Sequence, residues 1–157
     1  GEKARRFLLD HGFSQDFAAR VGDCVRTHRY RSDDPPESLE AKILFDADKL
    51  DVTGAVGMAR TFFYAARVGQ PLYTLLPGGT VSDGSAEEPE GVHSVLREYK
   101  VKLENIYGSF LTRRGGELAR QRQAAARSIY ENLLSEIREP YDAGGALLRR
   151  YIENLYS

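Results

Sequence analysis

Glu40-Ala-Lys-Ile-Leu-Phe-Asp-Ala-Asp-Lys-Leu-Asp51 decides how this chain folds, and Gly54-Ala-Val-Gly-Met-Ala-Arg60 comes close behind it. Three carboxylates, Asp46, Asp48 and Asp51, interrupt a run that otherwise reads as a buried helix. At about 100° per residue, Leu44, Ala47, Asp48 and Asp51 form an i, i+3, i+4, i+7 stripe. The spacing predicts that Asp48 and Asp51 lie on, or at the edge of, the face that meets the core. Asp46 is expected about 160° away from Asp48, towards Lys42 and Lys49, as a salt-bridge partner of one of them. A carboxylate on a core face needs an Arg or Lys, a set of backbone N–H groups, or a metal ion, because an unpaired buried charge costs several kcal/mol.

The flanking sequence is helical on both sides. Upstream, Glu2 to Asp10 carries Ala4, Phe7 and Leu8 and stops at Gly12. Ser14 is a good N-cap for a second helix through Phe17, Ala18, Val21, Cys24 and Val25, ending near Thr27 to Tyr30. Arg31 to Glu37, with Asp33-Asp34-Pro35-Pro36, is a polar loop, after which Ser38 caps the aspartate helix. Gly54 to Val68 forms the next helix. Its small residues Gly54, Ala55, Gly57 and Ala59 permit close packing, and Phe62, Phe63 and Tyr64 are expected in the core.

Gly69 to Gly91 reads as a long irregular loop, either a functional lid or disordered. Beyond it, residues 92–157 are expected as C-terminal helices: Val92 to Leu111, then Glu117 to Glu139 between the breakers Gly115-Gly116 and Pro140, then Ala143 to Tyr156. No internal repeat, coiled-coil heptad or convincing strand alternation occurs. The fold expected is all-α, one domain over 1–157.

Composition narrows the function. At 157 residues, 41% hydrophobic and 29% charged, the chain has the balance of an ordinary globular domain with a real core. A formal net charge of -1 gives no reason to expect nucleic acid or an anionic membrane as a partner. A lone Cys24 rules out an internal disulfide framework and fits a cytoplasmic protein. No run approaches the roughly 18 apolar residues of a membrane span.

No Cys-x-x-Cys, phosphate-cradling glycine loop or Gly-x-Ser-x-Gly elbow is present. Of the three histidines, His11 and His93 read as structural, at a helix end and beside the long loop. His28 ends the second helix just before the chain returns through the aspartate helix, which makes it a candidate ligand or phosphate contact.

Several features combine: a helix ending in Val25-x-x-His28, a Pro-containing loop, Ser38-Leu-Glu-Ala-Lys-Ile-Leu44, then Asp46-Ala-Asp48-Lys-Leu-Asp51 and Gly54-Ala-Val-Gly-Met-Ala-Arg60. Together they resemble the HD-domain metal-dependent phosphohydrolases, in particular their small bacterial nucleotide-hydrolysing branch. Tyr99-x-x-Lys102-Leu103 and Thr112-x-x-Gly115-x-x-Leu-Ala119-x-x-Arg122 look like the C-terminal helices of that branch.

The resemblance implies an HD-domain-like helical bundle around one divalent ion, Mn²⁺, Mg²⁺ or Fe²⁺, held by a His…His-Asp…Asp set. Asp48 corresponds to the last aspartate of that set. The first His and the His-Asp pair have no counterpart, since Leu8-Leu-Asp10-His11 carries them in reverse order and too near the second helix. They are therefore expected on helices upstream of Gly1. Under this resemblance Asp51 orients water or a sugar hydroxyl, and His28 faces the phosphate as donor or proton shuttle. Lys49, Arg60 and Lys102 are candidate phosphate contacts.

The function expected is hydrolysis of a nucleotide phosphoester or phosphoanhydride, nucleoside triphosphates favoured. The alternative is a non-catalytic HD-like domain that binds a nucleotide or a protein. Residues 143–156 are left to pack on their own core or to form a homodimer.

Overall fold

The computed structural model describes residues 1–29 and 34–156. Tyr30, residues 31–33 of the expected polar loop, Ser157, and the side chains of Arg149, Leu155 and Tyr156 lie outside the described residues. Among the described residues, six α-helices run in the order α1 (Glu2–Asp10), α2 (Gln15–Thr27), α3 (Leu39–Leu50), α4 (Gly54–Val68), α5 (Val95–Glu98) and α6 (Arg113–Tyr156). A π-helical turn, Tyr99–Leu103, and a 3₁₀ turn, Ile106–Gly108, join the last two. Among the described residues the only extended pairing is an isolated bridge between Leu75 and Val81. The fold is all-α, as the periodicity implies, and no described helix is long and apolar enough to cross a membrane.

One device starts three of the helices. Ser14, Ser38 and Ser94 sit in extended backbone, and each hydroxyl accepts the amide three residues on: Phe17 at 3.3 Å, Ala41 at 3.1 Å and Arg97 at 3.2 Å. These are amides the helix itself leaves without an acceptor. α4 ends at Gly69 in the left-handed region (φ 73°), where Gln70 N donates to Ala65 O at 2.9 Å.

α1 packs on α2, α2 on α3, and both α3 and α4 on α6. The main core gathers Met58 from α4, Leu96, Tyr99 and Leu103 from the α5 region, Ala126 and Tyr130 from α6, and Val81. Tyr99 and Tyr130 stack with ring centroids 4.1 Å apart and planes 15° from parallel. Burial, aided by Glu104 beside Tyr99 and Asp83 beside Tyr130, pushes both phenols up to about 12. Phe62 packs against this core, but Phe63 (80% exposed) and Tyr64 (68%) do not fill it as expected.

Three sequence expectations are corrected. Segment 69–91 is not a loose loop, because many of its polar groups are tied down. Tyr130 Oη donates to Asp83 O at 2.7 Å, Arg138 to Val81 O at 3.2 Å, and Arg97 to Ala86 O. Glu88 accepts from Thr74 Oγ1 at 2.9 Å and Ser94 N at 2.7 Å. Burial alone would raise the Glu88 pKa, but these hydrogen bonds, with Arg97 nearby, outweigh it and hold the carboxyl below its usual range.

The second correction is to Val92–Leu111, expected as one helix. Its apolar positions Val95, Leu96, Tyr99, Leu103 and Ile106 are buried. The backbone instead widens after α5, with Glu104 N donating to Tyr99 O at 2.8 Å, the i→i+5 bond of a π turn.

The third is to the end of the chain. Gly115-Gly116 lies in the first turn of α6, and Pro140 does not end it. Glu136 and Pro140 lie on the exposed side, where water can satisfy the carbonyl that Pro140 leaves without a donor. Residues 143–156 therefore continue α6, and the described large apolar side chains among them do not pack back on the chain's own core. Leu147, Leu148, Tyr151 and Ile152 are 45–69% exposed.

Candidate functional site

α3 has two chemically different faces, and they are the reverse of the predicted ones. Ala41, Phe45, Asp46 and Lys49 point inward and are buried. Leu44, Ala47, Asp48 and Asp51 are exposed. The inward side is less apolar than the outward one, which is why hydrophobic spacing selects the wrong face.

Hydrogen bonds make the inward placement of Asp46 tolerable. It is 3% exposed, with Oδ1 accepting from Leu111 N at 2.8 Å and Oδ2 from both Thr112 N at 2.8 Å and Thr112 Oγ1 at 2.6 Å. It is thus held by backbone amides and a hydroxyl at the start of α6, rather than by Lys42 or Lys49 as expected. A carboxylate is favoured there because unpaired amides and the helix dipole converge on it. Gly115 lets it approach so closely: a Cβ at that position would overlap Asp46 Oδ2.

Lys49, one turn on, is 2% exposed, and its ammonium lies 3.1 Å from the Phe45 ring centroid. Burial pulls its pKa down, opposed by the nearby charges of Asp48 and Asp46.

On the outer face, Asp51 caps the end of α3 and pairs with Arg60 of α4 at 2.7 Å. Both side chains are more than half exposed. The structure therefore places Asp48 and Asp51 on the outer side of α3, with Arg60 against Asp51. Arg122 donates to Leu50 O at 2.9 Å and Tyr107 Oη accepts from Gly54 N at 3.2 Å, fixing the α3–α4 corner from outside.

The other candidates are engaged by neighbours on their own segments. His28 caps α2, half-buried, with Nδ1 donating to Val25 O at 2.5 Å. Lys102, on the π turn, donates to Glu98 at 2.6 Å, and the same carboxylate meets His93 Nε2 at 2.8 Å. His11 donates to Phe7 O at 2.8 Å.

Among the described residues, no group of three or more His, Cys, Asp or Glu side chains could hold a metal ion. Asp48 and Asp51 do not make a metal site by themselves. What the arrangement offers is a solvent-facing pair of carboxylates with a guanidinium alongside. The residues that sequence reasoning missed are those behind α3, namely Thr112, Gly115 and Arg122. Thr112-x-x-Gly115 stands out in the sequence, but nothing local ties it to Asp46.

Comparisons with known proteins fit this architecture. No family model matches the chain. A stretch of 38 residues is 53% identical to YpgQ, an uncharacterized protein of Bacillus subtilis (strain 168), covering 24% of this chain and 18% of that protein. The crystal structure of Bacillus subtilis YpgQ superposes with a TM-score of 0.68 and 26% identity, over 87% of this chain and 63% of that one. The crystal structure of YpgQ in complex with ADP gives a TM-score of 0.66, again at 26% identity, over 86% and 60%. An HD-superfamily hydrolase from Bacillus thuringiensis gives a TM-score of 0.62 at 22% identity, over 86% and 61%.

The fold is HD-like. The chain spans less than two thirds of the length of each of these structures.

Proposed function

We propose that this chain is part of a metal-dependent phosphohydrolase acting on a nucleotide phosphoester or phosphoanhydride, with nucleoside triphosphates favoured. The observation that carries the reading is the exposed Asp48 carboxylate, one turn from Asp51, on a helix whose neighbouring Asp46 is already fully engaged. The ADP complex of YpgQ supports a nucleotide as ligand. Asp48 is assigned one corner of a divalent-cation site whose other donors lie outside the described residues. The exposed Ile43, Leu44, Val56 and Phe63 on α3 and α4 support a further segment covering this face.

In this reading the chain's own residues bind and orient. Asp51 holds a water or a sugar hydroxyl, and Arg60, already pointed at Asp51, contacts a phosphoryl oxygen. Lys102 and His28 remain a phosphate contact and a proton carrier, respectively. Lys49 passes to the structural side of α3. A divalent ion, when bound, would supply Lewis-acid stabilisation to a phosphoryl oxygen.

A second reading, a non-catalytic HD-like domain that binds a nucleotide, is favoured by one observation. The described residues gather no three-donor cluster. The test is phosphate release by the protein expressed from its whole reading frame, with Mn²⁺ and a panel of deoxynucleotides. Release that disappears in Asp48→Ala is the expected result. Release that survives Asp48→Ala removes Asp48 from the site, and nucleotide binding without release selects the second reading.

A further inference from the structure

Asp46 and Asp48 are two positions apart on one helix, yet they occupy opposite environments, one buried and one exposed. The inward carboxylate is gripped by Leu111 and Thr112, the two residues that lead into α6, through three hydrogen bonds of 2.6–2.8 Å. Thr112 Oγ1, which donates a hydrogen bond to Asp46, also accepts one from Gly115 N at 3.0 Å, so the anchor is built into the start of α6. Further along the same helix, Arg122 donates to Leu50 O at the end of α3. α6 therefore holds α3 at Asp46 and at Leu50, about one helical turn apart, with Asp48 between them on the opposite side. Two fixed points one turn apart leave α3 little freedom to rotate about its own axis.

We propose that Asp46, seated on Thr112 and Gly115, is the positioning residue that fixes the rotation of α3 against α6 and so aims Asp48 and Asp51 outward. The proposal rests on the reading of Asp48 and Asp51 as site residues. Its scale comes from helix geometry. A carboxylate about 5–6 Å from the helix axis moves about 1 Å for a 10° rotation. A misplacement of about 1 Å in a reacting site costs on the order of 100-fold in rate. Asp46 touches no substrate; it acts through the direction of its neighbours.

Two variants perturb the anchor in different ways. Asp46→Asn keeps the shape but turns an NH₂ group towards amides that need an acceptor. Gly115→Ala leaves the carboxylate intact and displaces it by adding a Cβ where Asp46 Oδ2 now sits. Thr112→Ser keeps the hydroxyl and serves as the conservative variant. Val81→Ala, in a core cluster that includes no α3 residue, is the control for lost stability alone.

The experiment measures kcat, KM and Tm for nucleotide hydrolysis by the protein from its whole reading frame. Hydrogen exchange at the Leu111 and Thr112 amides is monitored in parallel. Asp46→Asn and Gly115→Ala are expected to lower kcat about 10- to 100-fold. KM should stay within about twofold, the pattern of an interaction felt in the transition state rather than in binding. Both amides should exchange faster, Thr112→Ser should keep the wild-type rate, and Val81→Ala should lower Tm without changing kcat.

A folded Asp46→Asn with wild-type kcat overturns the proposal, as does an equal loss of kcat in Val81→Ala at matched Tm. If Asp46→Asn does not fold, Gly115→Ala decides by the same criteria. A wild type that hydrolyses nothing, or is indifferent to Asp48→Ala, overturns the functional reading and this proposal with it. A wild type sensitive to Asp48→Ala but indifferent to both anchor variants overturns the positioning role alone.

Discussion

Thr112 donates two hydrogen bonds to Asp46, from its amide at 2.8 Å and its hydroxyl at 2.6 Å, across 66 positions of chain. Truncating Asp46 to Ala leaves the Leu111 and Thr112 amides and the Thr112 hydroxyl without their acceptor, each at the cost of an unmade buried bond. Asp46→Ala is expected to lower unfolding stability by about 3 kcal/mol or more, and Thr112→Val by about 1.5–3 kcal/mol. Urea denaturation with an unchanged slope reads both. A loss too small to measure for Asp46→Ala would mean the cap contributes nothing to the fold.

The Asp51–Arg60 pair is short but exposed, and such pairs contribute only about 0–1 kcal/mol. Arg60→Ala should therefore leave Tm nearly unchanged while lowering kcat/KM for nucleotide hydrolysis. Unchanged kinetics would remove Arg60 from the site.

The stacked tyrosines make the protein alkali-sensitive. Their folded-state pKa values are raised to about 12 from an ordinary 10.0, so the folded state keeps protons that the unfolded chain has released. The stability they contribute is fully present below pH 10 and is lost as pH rises from 10 towards 12. Tyrosinate absorbance recorded alongside unfolding should show the two buried rings titrating last. Tyr99→Phe should flatten the alkaline loss.

Glu88 carries the opposite sign. Its folded pKa is depressed, so its contribution is present above its ordinary 4.5 and disappears as pH falls below that value. Glu88→Gln, which turns a donor towards Thr74 or Ser94, is expected to cost about 1–3 kcal/mol near neutral pH. It should also abolish the acid-side slope, and faster exchange of the Ser94 amide in acid would confirm where the loosening begins.

Gly57 is packed against the backbone, and a Cβ there would overlap the Val52 carbonyl group. Backbone cannot swing away as a side chain can. Gly57→Ala is expected to cost about 1–3 kcal/mol, and more if the α3–α4 corner cannot shift. Differential scanning calorimetry would check it, and a neutral result would show that the corner is looser than its contacts suggest.

The sequence is most legible where structure is local. The Ser14 and Ser38 caps and the Gly54–Val68 bounds come from residues a few positions apart, and the structure places them as expected. α3 reads correctly as a helix, but with its faces exchanged. Its inward residues include a carboxylate and an ammonium, and the groups that hold the carboxylate lie beyond position 110: Leu111, Thr112 and Gly115. A hydrophobic pattern counts side chains and cannot see such a partner. The same limit applies to segment 69–91, whose order comes from Tyr130, Arg138 and Arg97 closing on its carbonyls. The chemistry of Asp48 and Asp51 comes from a resemblance, and the structure adds that both carboxylates face solvent and that Asp51 pairs with Arg60.

The Asp46-Ala47-Asp48 triplet also sets how this chain can change in length. Each residue inserted into a helix turns all later positions by about 100° about its axis. One insertion between Asp46 and Asp48 would carry the second carboxylate off its present heading, and one before Asp46 would detach the first from Thr112. By contrast, Gly78 and Gly79 border open space, with nothing near where a side chain would begin. Insertions and deletions should therefore accumulate around 78–79 and be purged from 46–48, a pattern of indels readable in any collection of related genes.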